Sequence, residues 1–227
     1  MLKDLLLMDI ETVPMVENYS DLSAEWQVLW WDKVSKTVPE TTTPAQSWKM
    51  KAGILAEFGK IICISIGIYD KNNKILIRSF AGDDEEELLK EFGEIFNRPK
   101  LQNVILCAHN GKEFDFPWIA RRFLINGMQP PIPFQMFGKK PWEIPHLDTM
   151  ELWKFGDWKS FISLELMAHI FGVPTPKDDI DGSMVSSIYY IEKDLPRIVK
   201  YCEKDVLTLA NVFRKMRQED LLERRED

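Results

Sequence analysis

Two carboxylates, Asp9 and Glu11, close an otherwise apolar run at residues 5–8. Alternate side chains of a strand share a face, so the two acids stand side by side. Near a core such a pair needs a cation, a proton or solvent to relieve its repulsion, and a bound divalent metal is the arrangement that would do chemistry. The ordinary alternative is a strand end running into water. Two later segments carry acids that can reach the same point. Asp115 follows Asn110-Gly111-Lys112-Glu113-Phe114, after the buried run 104–108 and in the first turn of a helix. Tyr201 and Asp205 are four apart, hence on one face of the last helix and one turn from each other. Each has a plain structural alternative: Asp115 as a helix cap, Asp205 as a surface acid paired with Lys204 or Lys200, Tyr201 as a half-buried core residue. Their ordered recurrence favours convergence.

The elements that must position these residues are readable from patterning. After the first strand comes an excursion over 13–59, with a helix expected from Ser20 and Asp21 through Leu22, Trp26, Leu29 and Trp30, and a second opened by Thr43-Pro44. Its tryptophans at 26, 30, 31 and 48 have two readings, stacking on bases or packing the excursion onto the body. Residues 60–69 are β-branched, 70–73 have turn chemistry and 75–77 resume, which predicts a β-hairpin. Asp83 and Asp84 open a helix. Strand 104–108 leads to a helix over 113–123 stopped by Asn126-Gly127, and after a proline-rich loop 143–148 is expected to be a short last strand. A helix starts at Ser163, residues 177–182 form a loop, and the final helix runs from Asp194. The order implies an α/β fold: a mixed sheet with helices on its faces, the first strand central and the hairpin antiparallel beside it.

Composition sets the class. A chain of 227 residues, 45% hydrophobic and 29% charged, holds one sizeable core and is expected to be a single domain over 1–227, with 218–227 a charged, frayed tail. No apolar run approaches membrane length, no basic leader precedes an apolar segment, and the expected location is the cytoplasm. Cys63, Cys107 and Cys202 lie far apart in apolar stretches and indicate neither a disulfide framework nor a zinc site. The net charge of -7 argues against broad attraction to a polyanion. It does not exclude phosphodiester chemistry, because metals in an acidic cleft supply local positive charge.

Asp9-x-Glu11, Asn110 with Phe114-Asp115, and Tyr201-x-x-x-Asp205 together resemble the three motifs of the DEDD, or DnaQ-like, 3'-to-5' exonucleases, which have a ribonuclease H-like fold. The tyrosine four residues before the last aspartate marks the DEDDy branch. Residues 109–117, His146-Leu147-Asp148 and Lys177-x-x-x-Asp181-Gly182 look most like stand-alone relatives of the family-B DNA polymerase exonuclease domain. The resemblance implies a ribonuclease H-like five-stranded mixed sheet with a helical insertion after the first strand. It implies two divalent ions, Mg2+ or Mn2+, one held by Asp9, Glu11 and Asp205, the other shared by Asp9 and reached by Asp115 through water. Tyr201 would orient the attacking water, and the products would be 5'-mononucleotides. Asn110, Phe114, Lys112 and the backbone from Ile10 to Thr12 are the choices for gripping the terminal nucleotide. Arg121, Arg122, Lys139, Lys140 and Lys177 are further candidates for phosphates. Asp148 and Asp181 are taken as loop acids outside the metal set, His146 and His169 as structural, and His109 as lying behind the site.

The expected partner is the 3' end of a single strand, DNA before RNA. Nothing in the sequence locates a side chain that senses the 2'-hydroxyl. A non-catalytic nucleic-acid-binding module on the same fold is the alternative of another class, and an endonuclease of the wider ribonuclease H-like group a third. No polymerase domain fits in this length, so proofreading would act in trans, with a polymerase or a repair complex as partner. Few phosphate contacts and a shallow salt dependence are expected.

Overall fold

Strand β1 (Leu5–Pro14) alternates between two apolar surfaces, and the rest of the chain is layered on it. In the computed structural model, which describes residues 5–70, 74–157, 159–175 and 180–222, Leu6, Met8 and Ile10 enter one core and Leu5 and Leu7 another. β2 (Gly59–Tyr69) lies antiparallel to β1, and β3 (Ile75–Ala81) antiparallel to β2. β4 (Ile105–Ala108) and β5 (Leu147–Asp148) continue the sheet in parallel on the other side, giving the order β3-β2-β1-β4-β5. This is the expected mixed five-stranded α/β sheet, with β1 at its centre.

Helices cover both faces. Before β2 come α1 (Ala24–Val34) and α2 (Pro44–Lys51); α3 (Glu85–Glu94), the short α4 (Pro99–Gln102) and α5 (Asp115–Ile125) follow the hairpin. Residues of α3 and α5, including Leu88, Leu89, Phe92, Phe116, Ile119 and Phe123, meet the even-numbered face of β1. After β5 the chain forms α6 (Thr149–Lys154), α7 (Leu164–Ile170), a single turn α8 (Val185–Ser187) running into a π-turn over Ile188–Glu192, and α9 (Leu195–Met216). Val206, Leu209, Ala210 and Phe213 of α9 pack on Leu5 and Leu7, so the odd-numbered face of β1 belongs to α9. Asp9 and Glu11 are the next odd residues along the same strand.

The structure redraws several boundaries. β1 does not stop near residue 8; it runs to Pro14 because residues 7–14 pair with β2 across a register shift at Glu11/Thr12. β4 pairs with β1 only at Leu5–Leu7, so one edge of β1 is unpaired by β4 beyond that point. The insertion accordingly spans 15–58. Its first helix begins at Ala24, capped by the Ser23 hydroxyl, because Asp21 bonds back to the Asn18 N–H at 3.0 Å and ends a separate turn. Thr43 and Pro44 open α2 as expected. Trp30 and Trp48 are fully buried edge to face, centroids 4.9 Å apart, and with Phe58 form a core private to the insertion. Packing, not stacking on bases, is the role of both.

The last strand is two residues long, since Pro141–Glu143 form a 3-10 turn before it. Residues 219–222 are docked, not frayed: Leu222 is buried, its N–H bonds Asn211 Oδ1 at 2.6 Å, and Arg214 Nε bonds the Asp220 carbonyl. The expected turn residues 71–73, Lys177 with the loop residues 178 and 179, and the tail from 223 lie outside the described residues. Among the described residues no helix is long and apolar enough to cross a membrane.

Candidate active site

The overhang of β1 presents Asp9 and Glu11 toward the N-terminal half of α9, which carries Tyr201 and Cys202 on one turn and Asp205 on the next. α9 starts where Asp194 accepts the Arg197 N–H at 3.1 Å and Pro196 occupies its first turn. Its apolar stripe of Ile198, Cys202, Val206 and Leu209 is buried against the sheet. Gly67 fixes the approach: a Cβ there would lie 2.7 Å from Val206 Cγ1, so α9 and β2 meet closely only because residue 67 has none. The residues flanking that stripe point at the acids of β1.

Carboxylate oxygens of Asp9 and Glu11 and the Cys202 sulfur lie within 4.8 Å of one another. Burial, then Glu11, Asp205 and Asp115, push the Asp9 carboxyl well above its ordinary range. Burial, then Asp205, Cys63 and Asp115, do the same to Glu11. Among the described residues, the charged groups that raise these two carboxyls are other acids and a thiol, so the pocket concentrates negative charge. That is the electrostatic signature of a cation site, and the all-oxygen donors suit a hard divalent ion.

Asp115 joins them from the opposite layer. As the first residue of α5 it is buried, and burial raises its carboxyl to about 7, opposed by its own N–H and that of Ile10. The Ile10 N–H sits on the edge of β1 that β4 leaves uncovered, so the strand overhang and the helix start are joined through this carboxylate. Burial, then Asp205, Glu11 and Asp9, raise the Tyr201 phenol far above its usual value, and its hydroxyl donates to Asp205. Tyr201 is therefore a protonated donor at neutral pH. The structure brings together Asp9, Glu11, Asp115, Tyr201 and Asp205.

The expected substrate-binding residues are divided. Asn110 stands at the mouth of the loop between β4 and α5 in the left-handed region (φ 62°), its Oδ1 buried without a hydrogen-bond partner. Phe114 precedes α5, partly buried and tilted against Trp118 at 6.0 Å. The Ile10 side chain faces the opposite core. The Thr12 hydroxyl is spent on the Gly53 carbonyl at 2.6 Å. Lys112 Nζ is paired with Glu151 at 2.6 Å. Arg122 is not a phosphate contact: it is buried and ion-paired to Glu85, and its Nη1 reaches the Ala56 carbonyl at 2.9 Å.

Two residues have roles the sequence did not suggest. Cys202, taken as part of the apolar stripe, donates to Asp9 Oδ2 at 3.3 Å and to the Asp9 carbonyl at 3.4 Å, fixing that carboxylate from behind. Its place next to Tyr201 was the available signal. Asp148 is no loop acid. Buried at the end of β5, it accepts the N–H groups of Asn110 (2.9 Å), Lys112 (3.1 Å), Met150 (2.9 Å) and Glu151 (3.3 Å), clasping the Asn110 loop while capping α6. An Asp directly before a helical run is the cap signature that could have found it. His109 completes the clasp with Nδ1 on the Thr149 hydroxyl and Nε2 on the Ile162 carbonyl, at 2.9 and 2.8 Å. Burial lowers its pKa, so it is neutral with the proton on Nε2. His146 is structural, accepting the Leu106 N–H and donating to the Pro133 carbonyl, whereas His169 is exposed in the last turn of α7.

A family model described as a predicted 3'-5' exonuclease related to the exonuclease domain of PolB matches residues 54–224. That span contains Asp115, Tyr201 and Asp205, while Asp9 and Glu11 precede it. The family B DNA polymerase of the archaeon Pyrobaculum calidifontis superposes with a TM-score of 0.58 at 13% identity, over 93% of this chain and 24% of the polymerase. E. coli exonuclease I, solved with a dT13 oligonucleotide, gives 0.43 at 11% identity, over 87% of this chain and 42% of that one. The chain thus spans less than half the length of either protein. None of the curated proteins matches it.

Proposed function

Because the chain belongs to the family of 3'-5' exonucleases related to the PolB exonuclease domain, and has their ribonuclease H-like fold, we propose that it removes nucleotides one at a time from the 3' end of single-stranded DNA. The observation that carries this reading is the convergence of Asp9, Glu11, Asp115 and Asp205 in one pocket, where the acids and burial raise the carboxyls of Asp9 and Glu11. Nucleases of this family use divalent metals, and the donor set fits them. Asp9, Glu11 and Asp205 would hold one ion, Asp9 and Asp115 a second, with Mg2+ or Mn2+ as the hard cations suited to carboxylates. Bound there, the ions supply positive charge to the entering and leaving oxygens of an in-line displacement.

The chain's own residues do the rest. Tyr201, kept protonated and directed at Asp205, orients the attacking water and does not act as its base. Cys202 holds the Asp9 carboxylate in one rotamer. The Asn110 Oδ1 acceptor, buried without a partner, is turned over to the terminal nucleotide. Water oxygen forms a bond to phosphorus, the bond to the 3' oxygen of the preceding nucleotide breaks, and that oxygen takes up a proton. The product is a 5'-mononucleotide.

The test is digestion of 5'-labelled single-stranded DNA with Mg2+ or Mn2+, beside RNA of the same sequence, a circular single strand, and the Asp9→Ala and Asp205→Ala variants. A one-nucleotide ladder on linear DNA, lost in EDTA and in both variants, is the expected result. A ladder on RNA alone would move the substrate, cutting of the circle would make the enzyme an endonuclease, and binding without cleavage would make it a binding module.

A further inference from the structure

Among the described residues, the segment joining α6 to α7 carries two strongly exposed aromatic side chains. Phe155 is 90% exposed and Phe161 69% exposed. Phe155 also has φ 44°, a left-handed conformation in which a bulky side chain is a rare outlier and Asn or Gly would cost less. It therefore bears backbone strain with no packing in return. Lys154, next to Phe155 in the chain, places its Nζ 4.6 Å from the centroid of Phe161, and Lys159 is exposed in the same segment.

This segment is moored to the catalytic loop at both ends. Upstream, Glu151 holds Lys112 at 2.6 Å and Asp148 accepts the Asn110 and Lys112 N–H groups. Downstream, the Ile162 carbonyl accepts from His109 Nε2 at 2.8 Å. His109 and Asn110 are consecutive after β4, so the segment that bears the exposed rings is tied at both ends to the loop leading into Asp115. Of the nearby acids, Glu151 is committed to Lys112, and Asp157 accepts the Lys159 N–H at 3.0 Å. Phe137 and Trp142, the other strongly exposed aromatics among the described residues, precede β5 in the chain.

We propose that Phe155 and Phe161, with Lys154 and Lys159, form a stacking platform for bases of the single strand upstream of the scissile nucleotide. The proposal rests on the exonuclease reading and names a second point of contact for its substrate. Aromatic rings bind bases without regard to sequence because every base has a π face, and lysines beside them meet the backbone phosphates. A platform there gives an acidic enzyme a grip on a polyanion that depends little on its net charge. Each stacked base is worth a factor of about 5 to 150 in affinity.

The test compares wild type with the double variant Phe155→Ala/Phe161→Ala on two substrates: labelled dT12, and the p-nitrophenyl ester of thymidine 5'-monophosphate, which fills only the scissile position. The platform predicts at least a tenfold rise in KM for dT12, with kcat and ester hydrolysis within a factor of two, and recovery of KM in Phe155→Trp/Phe161→Trp. An unchanged KM for dT12 overturns it. So does an equal loss on both substrates, which would make the rings supports of the catalytic loop. If the wild type cuts neither substrate the exonuclease reading fails, and the platform is then judged by anisotropy of fluorescein-dT12 in EDTA. Weaker binding by the double alanine variant upholds it, and equal binding refutes it.

Discussion

In the absence of divalent metal the fold should lose stability as pH rises from about 5 to 8, the reverse of what most buried carboxylates paired with bases produce. The cause is Asp115, raised by burial from an ordinary 3.8 to about 7, with Asp9 and Glu11 raised in the same direction. A folded pKa above the unfolded one means that the folded state holds the proton longer. Its contribution is fully present below the unfolded pKa and is lost as pH climbs through the folded one. From 3.8 to about 7 is roughly three pH units, and at ~1.4 kcal/mol each Asp115 alone forfeits about 4 kcal/mol between about pH 4 and pH 7. Asp9 and Glu11, raised in the same direction, add to the loss. Urea unfolding followed by tryptophan fluorescence, in EDTA at several pH values, reads this directly. Mg2+ at about a hundred times its dissociation constant should return roughly 2.7 kcal/mol at pH 8 and little at pH 5, where the site is protonated. Asp115→Asn should flatten its share of the slope and raise the midpoint at pH 8. A flat EDTA profile, or a lower midpoint for that variant at pH 8, would refute the electrostatic account of the pocket.

Tyr201→Phe should cut turnover on single-stranded DNA by about a hundredfold while leaving Mn2+ affinity and the urea midpoint unchanged, because it removes a hydroxyl and no metal ligand; steady-state rates beside a Mn2+ titration decide it. Arg122→Met should destabilise the fold by about 3–5 kcal/mol in urea, since it leaves Glu85 buried without its cation. Gly111→Ala places a Cβ 2.4 Å from Ala108 Cβ and 2.9 Å from the Phe116 ring, so the clasped loop must shift. A cost of about 1–3 kcal/mol, with a larger loss of activity than of structure by circular dichroism, is the expected outcome. Finally, cleavage at fixed Mg2+ should fall by less than about tenfold between 50 and 200 mM salt, whereas many phosphate contacts would produce a far steeper slope.

What the sequence disclosed followed from periodicity. Alternation along 5–11 put Asp9 and Glu11 on one face, and four-residue spacing put Tyr201 with Asp205; both relations depend only on local geometry. The hairpin, the Thr43-Pro44 start and the Asp194 cap were readable for the same reason. What stayed hidden was decided by pairing between distant segments. Nothing local reveals that β1 overruns β4, because strand length there is set by β2. Asp148 looks like any acid before a helix until the Asn110 loop arrives above it, and Arg122 like any surface cation until Glu85 covers it. Cys202 reads as apolar until the fold places Asp9 opposite it.

The order in which the chain supplies its parts has a consequence for synthesis. The bond between Cys202 and Asp9 closes a separation of 193 residues, joining the first strand to the last helix. β1 is made long before α9, yet the face that bears its acids is covered only when α9 arrives. A partial chain on the ribosome can assemble neither the full ligand set nor the water-orienting tyrosine, whatever else has folded. The site of a protein built this way stays incomplete on the ribosome until α9 has been translated.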